Sequence, residues 1–187
     1  MKNYLKIIIA CTAFAGSFTA MATDDDTYKF VGFGLTHYDN LVNLDLSHSK
    51  IDLVPEVSLG LGKKYQLNED WQLSAEVSLH YAKAHFSGFL ESNSVNNFSQ
   101  EQQSFSGNYE ASGLWATSRF NYVSLSEKVS PFIELAVGAV QTNHGTLFGE
   151  EKKQGFAYKA ITGVEFEVAN DMTFSIGFGL SDNDDNL

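Results

Sequence analysis

The chain has 187 residues and a formal net charge of −11, with 23 Asp and Glu against 12 Lys and Arg. This length predicts one domain with enough chain to bury a core. The acidic balance argues against a nucleic-acid-binding surface, which needs clustered Lys and Arg. With 13% aromatic and only 19% charged residues, the composition also argues against a disordered chain.

Residues 1–22 have the pattern of a secretory signal peptide. Two lysines precede a short apolar run, and Ala20-Met21-Ala22 matches an A-x-A cleavage site. A lipobox-like sequence ending at Cys11 is an alternative site, and cleavage there would leave that cysteine lipidated. We take the first site, so the predicted domain comprises residues 23–187 and contains no cysteine.

The rest of the chain alternates between apolar residues and small or polar ones. The alternation is clearest in residues 154–180, on both sides of a small turn at 169–171. A period of two is typical of β-strands, because successive side chains leave opposite faces. The same alternation predicts seven strands, which begin near residues 28, 53, 71, 109, 130, 154 and 172.

The connections between the predicted strands alternate in length. Short turns fall at 68–70, 126–128 and 169–171, whereas residues 87–107 and 143–153 form long polar loops. No stretch after the signal segment has the roughly 20 apolar residues of a membrane helix. Short turns at one end and long loops at the other are typical of an up-and-down bacterial outer-membrane barrel.

The two faces of the strands favour a membrane barrel over a soluble one. A soluble lipocalin-like barrel also alternates, but its outward face is polar and its apolar face binds a ligand inside. Here the less apolar face is rich in Gly and Ser, which suit a narrow lumen. Tyr65, Trp71 and Tyr122 lie near turns on the apolar face, as an interfacial aromatic girdle requires. A soluble periplasmic ligand-binding barrel remains an alternative.

Three segments carry a resemblance to a known family: YKFVGFGLTHYDN, ELAVGAV and GFAYKAITGVEFEVANDMTFSIGFGL. They resemble the outer-membrane β-barrel family that includes the outer membrane protein A barrel. The resemblance covers nearly all of the chain after the signal segment. It implies an all-β, antiparallel, eight-stranded transmembrane barrel of the Gram-negative outer membrane.

The resemblance also implies a range of functions and partners. Members of the family have structural, adhesive or small-pore roles, so we expect no catalysis and no cofactor. We expect a monomer surrounded by outer-membrane lipid and lipopolysaccharide, with external loops that could bind a surface ligand. Some barrels of this size modify lipid A, and that enzymatic function remains an alternative.

The strand count departs from the family pattern. Single-chain bacterial barrels have an even number of strands, whereas seven are visible here. The residues after Leu180 look like the start of an external loop whose closing strand is missing. We therefore expect the first and seventh strands to flank a gap.

Charged residues on the predicted inner face lie at similar distances from the short turns. At about 3.3 Å per residue, they share one height in the lumen. Because unpaired buried charges are costly, we expect two cross-strand pairs, Arg119 with Glu134 and Lys64 with Glu76. The set could fill the barrel as a salt-bridged plug or gate a narrow aqueous path, and we favour the plug. Its members are Lys64, Glu76, Arg119, Glu134 and Glu165.

Glu76, Ser78 and His80 also share the inner face, at alternate positions. Residues i and i+4 on a strand lie about 13 Å apart, so Glu76 cannot orient His80 without help from another strand. We interpret these residues as polar lining. Histidines 37, 48, 80, 85 and 144 show no metal-binding spacing, and the acidic runs at 24–26 and 182–185 are interpreted as solvated ends.

Overall fold

The structure is a computed structural model that describes residues 15–21, 27–36, 47–50, 53–90, 103–123, 128–146, 149–169 and 172–183. Nearly all of these residues lie in antiparallel strands. The strands are β1 (Ala15–Met21), β2 (Thr27–Thr36), β3 (Ser47–Lys50), β4 (Val54–Gln66), β5 (Trp71–Leu90), β6 (Gln103–Tyr122), β7 (Val129–Thr146), β8 (Gly149–Ala169) and β9 (Met172–Asn183). The described part of the chain contains no helix that is long and apolar enough to cross a membrane.

The strands form a single antiparallel sheet. From β4 to β9, each strand pairs with the next one along the chain, and β2 pairs with β4. β1 lies between β2 and β9, so these eight strands form a continuous ring. The short β3 is not one of these eight strands, and it pairs with residues 87–90 at the end of β5. This architecture confirms the prediction of an all-β, up-and-down antiparallel barrel with seven consecutive strands.

With residues 15–21 present, β1 fills the place of the expected gap. The first and seventh predicted strands are β2 and β9, and β1 pairs with both: Phe18 is opposite Val31 on one side and Phe174 on the other. The alternation did not reveal β1 because its residues fall inside the segment that has the pattern of a signal peptide. Removal of residues 1–22 would take β1 out of the ring. That removal, and the gap between β2 and β9 in the chain without these residues, stay predictions.

Several strands extend beyond their predicted ends. The predicted loop at 143–153 is wrong, because β7 continues to Thr146 and β8 begins at Gly149. β5 and β6 likewise extend into the predicted loop at 87–107, of which residues 91–102 lie outside the described part. Polar residues can continue an antiparallel ladder because its hydrogen bonds join backbone groups.

A short turn joins β4 to β5 at the end of the barrel opposite the extended ends of β5, β6, β7 and β8. The Asn68 side-chain Oδ1 accepts hydrogen bonds from the backbone N–H groups of Asp70 at 2.9 Å and Trp71 at 3.0 Å. Asn favours turns because its side chain can satisfy the backbone a few residues further on. This turn matches the one predicted at 68–70. Residues 124–127 and 170–171, which include most of the other two predicted turns, lie outside the described part.

The side chains divide between the two faces as the alternation predicted. On β5, Val77 and Leu79 are 55% and 63% exposed on the outer surface, whereas Ser74 and Ser78 are 1% and 3% exposed. Soluble proteins place large apolar residues inside, so this arrangement is the reverse. Other strands repeat it, with the outward residues including Phe33, Leu59, Leu61, Leu114, Leu135, Val137, Phe156, Tyr158, Phe178 and Leu180.

Two glycines leave room for aromatic rings inside the barrel. A Cβ on Gly138 would lie 2.5 Å from the ring of Trp115, and one on Gly62 would lie 2.4 Å from the ring of Tyr28. Both rings are buried. The small residues of the inner face therefore shape the lumen around particular aromatic side chains.

Candidate functional site in the barrel lumen

Arg119 is the centre of a charged layer, which we define as Lys64, Glu76, Arg119, Glu134 and Glu165. Its Nε and Nη2 donate to Glu134 Oε2 at 2.9 and 2.7 Å. Its Nη1 donates to Glu165 Oε2 at 3.4 Å, and its Nε lies 3.9 Å from Glu76 Oε1. Arg119 and Glu134 are register partners on β6 and β7, so the predicted pair is present.

The second predicted pair, Lys64 with Glu76, is wrong. Lys64 Nζ donates to Glu165 Oε1 at 3.3 Å, whereas Glu76 accepts a hydrogen bond from the Tyr28 hydroxyl. Lys64 belongs to β4 and Glu165 to β8, so this contact crosses the lumen instead of joining adjacent strands. Contacts across a narrow barrel depend on how it closes, which strand spacing alone does not give.

Further contacts pack the charged layer tightly. Asn121 Nδ2 donates to Glu165 Oε1 at 3.2 Å, and the Arg119 guanidinium lies 4.6 Å from the centre of the Phe132 ring. Each of the three glutamates therefore receives at least one donor. Buried charges need such partners because their desolvation is costly. This arrangement can fill and brace the lumen.

A second group of residues lies inside the barrel, and we call it the upper cluster: Glu56, Ser78, His80, Trp115 and Lys159. Ser78 Oγ lies 2.8 Å from His80 Nε2, and His80 Nδ1 lies 2.5 Å from Glu56 Oε1. Lys159 Nζ donates to the same Glu56 oxygen at 2.8 Å. It also lies 4.3 Å from the centre of the Trp115 ring.

Glu56 and Lys159 belong to no site that was predicted from the sequence. Both lie at inward positions of their strands. The alternation of apolar and polar residues along each strand was the signal that could have placed them in the lumen. Glu76 does not contact His80, as the strand spacing indicated, and it accepts a hydrogen bond from Tyr28. The neighbouring strand supplies the carboxylate for His80 through Glu56.

A small cavity adjoins both groups. Its volume is about 100 Å³, and its walls include Ser78, His80, Trp115, Arg119 and Glu134. A site needs roughly 10–15 Å³ of such volume to hold one water, so the cavity has room for several waters or one small ligand group.

Among the described residues, no group of three or more His, Cys, Asp and Glu is placed to hold a metal ion. His85 Nδ1 lies 2.9 Å from Asn108 Oδ1 at an exposed position, away from the lumen. Cys11, His37 and the acidic residues 24–26 lie outside the described part of the chain.

These features define the class of protein: an antiparallel up-and-down β-barrel with an apolar outer face and a charged lumen. Among solved structures, the chain is similar to Ail, the attachment invasion locus protein of Yersinia pestis. The similarity is 16% in sequence with a TM-score of 0.40 for the complex with the heparin analogue sucrose octasulfate, over 90% of this chain and 100% of that one. For a second crystal structure of Ail, the identity is 15% and the TM-score 0.39, with the same coverage. No protein-family model and no curated protein matches the chain.

Proposed function

We propose that this protein is an integral outer-membrane β-barrel with a structural or surface-interaction role. The observation that carries the proposal is the inverted distribution of side chains: large apolar residues cover the outside, and charged residues fill the inside. A contiguous apolar surface of more than a few hundred Å² is rare on a soluble monomer. Burying one large apolar side chain contributes about 1.5–3 kcal/mol, so a lipid surrounding is strongly favoured.

The residues at the two ends of the apolar outer surface, which we call the apolar band, also support a barrel that crosses a membrane. Near the short turn after β4, the rings of Trp71 and Tyr122 pack in a tilted arrangement with their centres 5.1 Å apart. Aromatic residues at this height are typical of the membrane–water interface. Further along β5, the outward residue Lys83 pairs with Glu110 on β6. The band between Trp71 and Lys83 is roughly the 9–11 residues that a tilted membrane strand needs.

The parts of the strands that extend beyond the apolar band supply the surface for interaction. The hairpin of β7 and β8 continues past the band as a polar ladder, in which Gln154 donates to Gln141 at 2.9 Å. A ladder held by backbone hydrogen bonds presents polar side chains in fixed positions. This supports a role in contacts at the cell surface.

Membrane fractionation tests the proposal. After expression in a Gram-negative host, the protein should stay in the outer-membrane fraction through washing with sodium carbonate or salt. The folded barrel should also migrate differently on a gel before and after heating. Release by carbonate would reject the integral barrel and favour a soluble periplasmic one.

A gate for a narrow aqueous path is a second candidate, favoured by the cavity beside Arg119. If the charged layer closes such a path, Arg119→Ala should raise the frequency of opening in planar lipid bilayers. Lys83→Ala, which removes an exposed ion pair, is the matched control. Unchanged opening in Arg119→Ala would exclude the gate and leave the layer as a plug.

A further inference from the structure

The upper cluster contains three residues in the order of a nucleophile, a base and an orienting acid. Ser78 Oγ lies 2.8 Å from His80 Nε2, and Glu56 Oε1 lies 2.5 Å from His80 Nδ1. Ser78 and His80 occupy alternate inward positions of β5. Glu56 reaches the same ring from β4, where it is paired with Ala82, two residues beyond His80.

The contacts determine which ring nitrogen carries the proton. An ionised carboxylate only accepts hydrogen bonds, so the contact with Glu56 requires the proton on Nδ1. In a neutral imidazole, Nε2 is then the acceptor and receives the hydrogen bond from the Ser78 hydroxyl. Lys159 approaches Nδ1 at 3.4 Å and donates to Glu56, so its contacts are with the end of the ring that Glu56 binds. A serine activated in this way is recognised by geometry and not by its position in the sequence.

We propose that Ser78 is an activated nucleophile that accepts an acyl group from a short-chain carboxylic ester, with His80 as general base and Glu56 as positioning residue. Both Ser78 and His80 border the lumen cavity, and its volume of about 100 Å³ suits an acetyl-sized group more than a fatty acyl chain. The size of this cavity is our reason for proposing a short acyl chain.

The reaction balances with the ester and water as its reactants. Ser78 Oγ forms a bond to the carbonyl carbon while its proton passes to His80 Nε2. The bond from that carbon to the leaving oxygen then breaks, and His80 returns the proton to the departing alkoxide. Water next attacks the acyl-serine, with His80 taking and returning its proton, which releases a carboxylic acid and regenerates Ser78.

Both halves of this reaction should be slow with an ordinary ester. The backbone N–H groups beside Ser78 are in a strand paired on both sides, with Gly60 and with Trp115. Free backbone N–H groups are a common means of stabilising the negative oxygen that forms in acylation and again in deacylation. An ester with a good leaving group eases acylation alone, so with such an ester we expect the acyl-serine to accumulate in the first turnover.

p-Nitrophenyl acetate is a suitable probe for the folded, full-length protein in detergent micelles. The expected result is a rapid release of p-nitrophenolate, stoichiometric with protein, and one acetyl group on Ser78 by peptide mass spectrometry. Acetylation of Lys159 alone, or no acetylation of folded protein, would overturn the proposal. This mapping needs no variant, so it decides even where a substitution prevents folding.

Variants then separate the three roles. Ser78→Ala should abolish the burst, and His80→Gln should lower its rate about 100-fold, as expected for loss of a general base. Glu56→Gln should lower the rate constant of the burst but leave its amplitude, and the ester concentration that gives half the maximal rate, unchanged. A loss of folding would instead lower the amplitude, because fewer molecules would react. Ser58→Ala is the matched control, since Ser58 borders the same cavity opposite His80 in the register. An equal loss in Ser58→Ala would contradict the assignment of Ser78.

Discussion

Replacing Arg119 by methionine should strongly destabilise the barrel. The Arg119 side chain is 12% exposed and contacts three carboxylates, those of Glu134, Glu165 and Glu76. With Lys64 and Arg119, the charged layer has two cations and three anions, a formal charge of 2 − 3 = −1. Without Arg119, the charge becomes 1 − 3 = −2 in the barrel interior. Methionine keeps much of the side-chain volume, so the effect reports on charge.

The expected loss is about 3–5 kcal/mol in the free energy of unfolding, the usual cost of removing one partner from a buried ion pair. Most of this cost arises because Glu134 loses both of its donors from Arg119, at 2.9 and 2.7 Å. The double variant Arg119→Met/Glu134→Gln should recover part of it, because no charge then remains at position 134. Replacing both members of a buried pair is commonly far less harmful than replacing one.

Urea unfolding in detergent micelles measures this effect. Trp71 and Trp115 are the two tryptophans of the chain, and their fluorescence reports the transition. The free energy in water follows from linear extrapolation, with the slope compared between variants. A loss below about 1 kcal/mol for Arg119→Met, well short of the range for a buried pair, would refute the account of the charged layer.

Three other substitutions test separate parts of the account. Leu79→Arg, on the outer face, should cost about 2–4 kcal/mol if that position faces the middle of the bilayer, measured by the same unfolding assay. Gly138→Ala should cost about 1–3 kcal/mol and alter the fluorescence of Trp115, because the added methyl overlaps its ring. Lys83→Ala should leave stability at neutral pH unchanged, because its partner Glu110 is exposed and solvent screens the pair. The hydrogen bond from Lys83 lowers the pKa of Glu110, so any contribution of the pair is present above the ordinary glutamate pKa. It should be lost as the pH falls through the lowered pKa.

The sequence was sufficient to predict the faces of the strands because a period of two is a property of the extended backbone. Val77 and Ser78 are adjacent in the chain, and the structure places them on opposite faces. Counting from short turns also placed Arg119 opposite Glu134, since register along a hairpin follows from the turn. These predictions needed only local geometry.

Contacts across the lumen could not be predicted in the same way. Lys64 bonds Glu165 from a strand on another side of the barrel, and Lys159 reaches Glu56 similarly. Such pairs depend on the closure and tilt of the whole ring, which no single strand specifies. The role of Glu56 beside His80 was missed for a related reason, because only residues of one strand were compared. β1 was missed because its residues match a signal peptide.

The central claim is that the apolar outer face contacts lipid. Spin labels attached to single cysteines at Leu135, Val137 and Gln141 test it most directly, in protein reconstituted into liposomes with Cys11 replaced by serine. These three positions share the outer face of β7, and Gln141 lies beyond the apolar band. The account predicts that the labels at 135 and 137 collide with oxygen but not with an aqueous nickel complex, whereas the label at 141 meets the nickel complex. Free access of the nickel complex to 135 and 137 would contradict it.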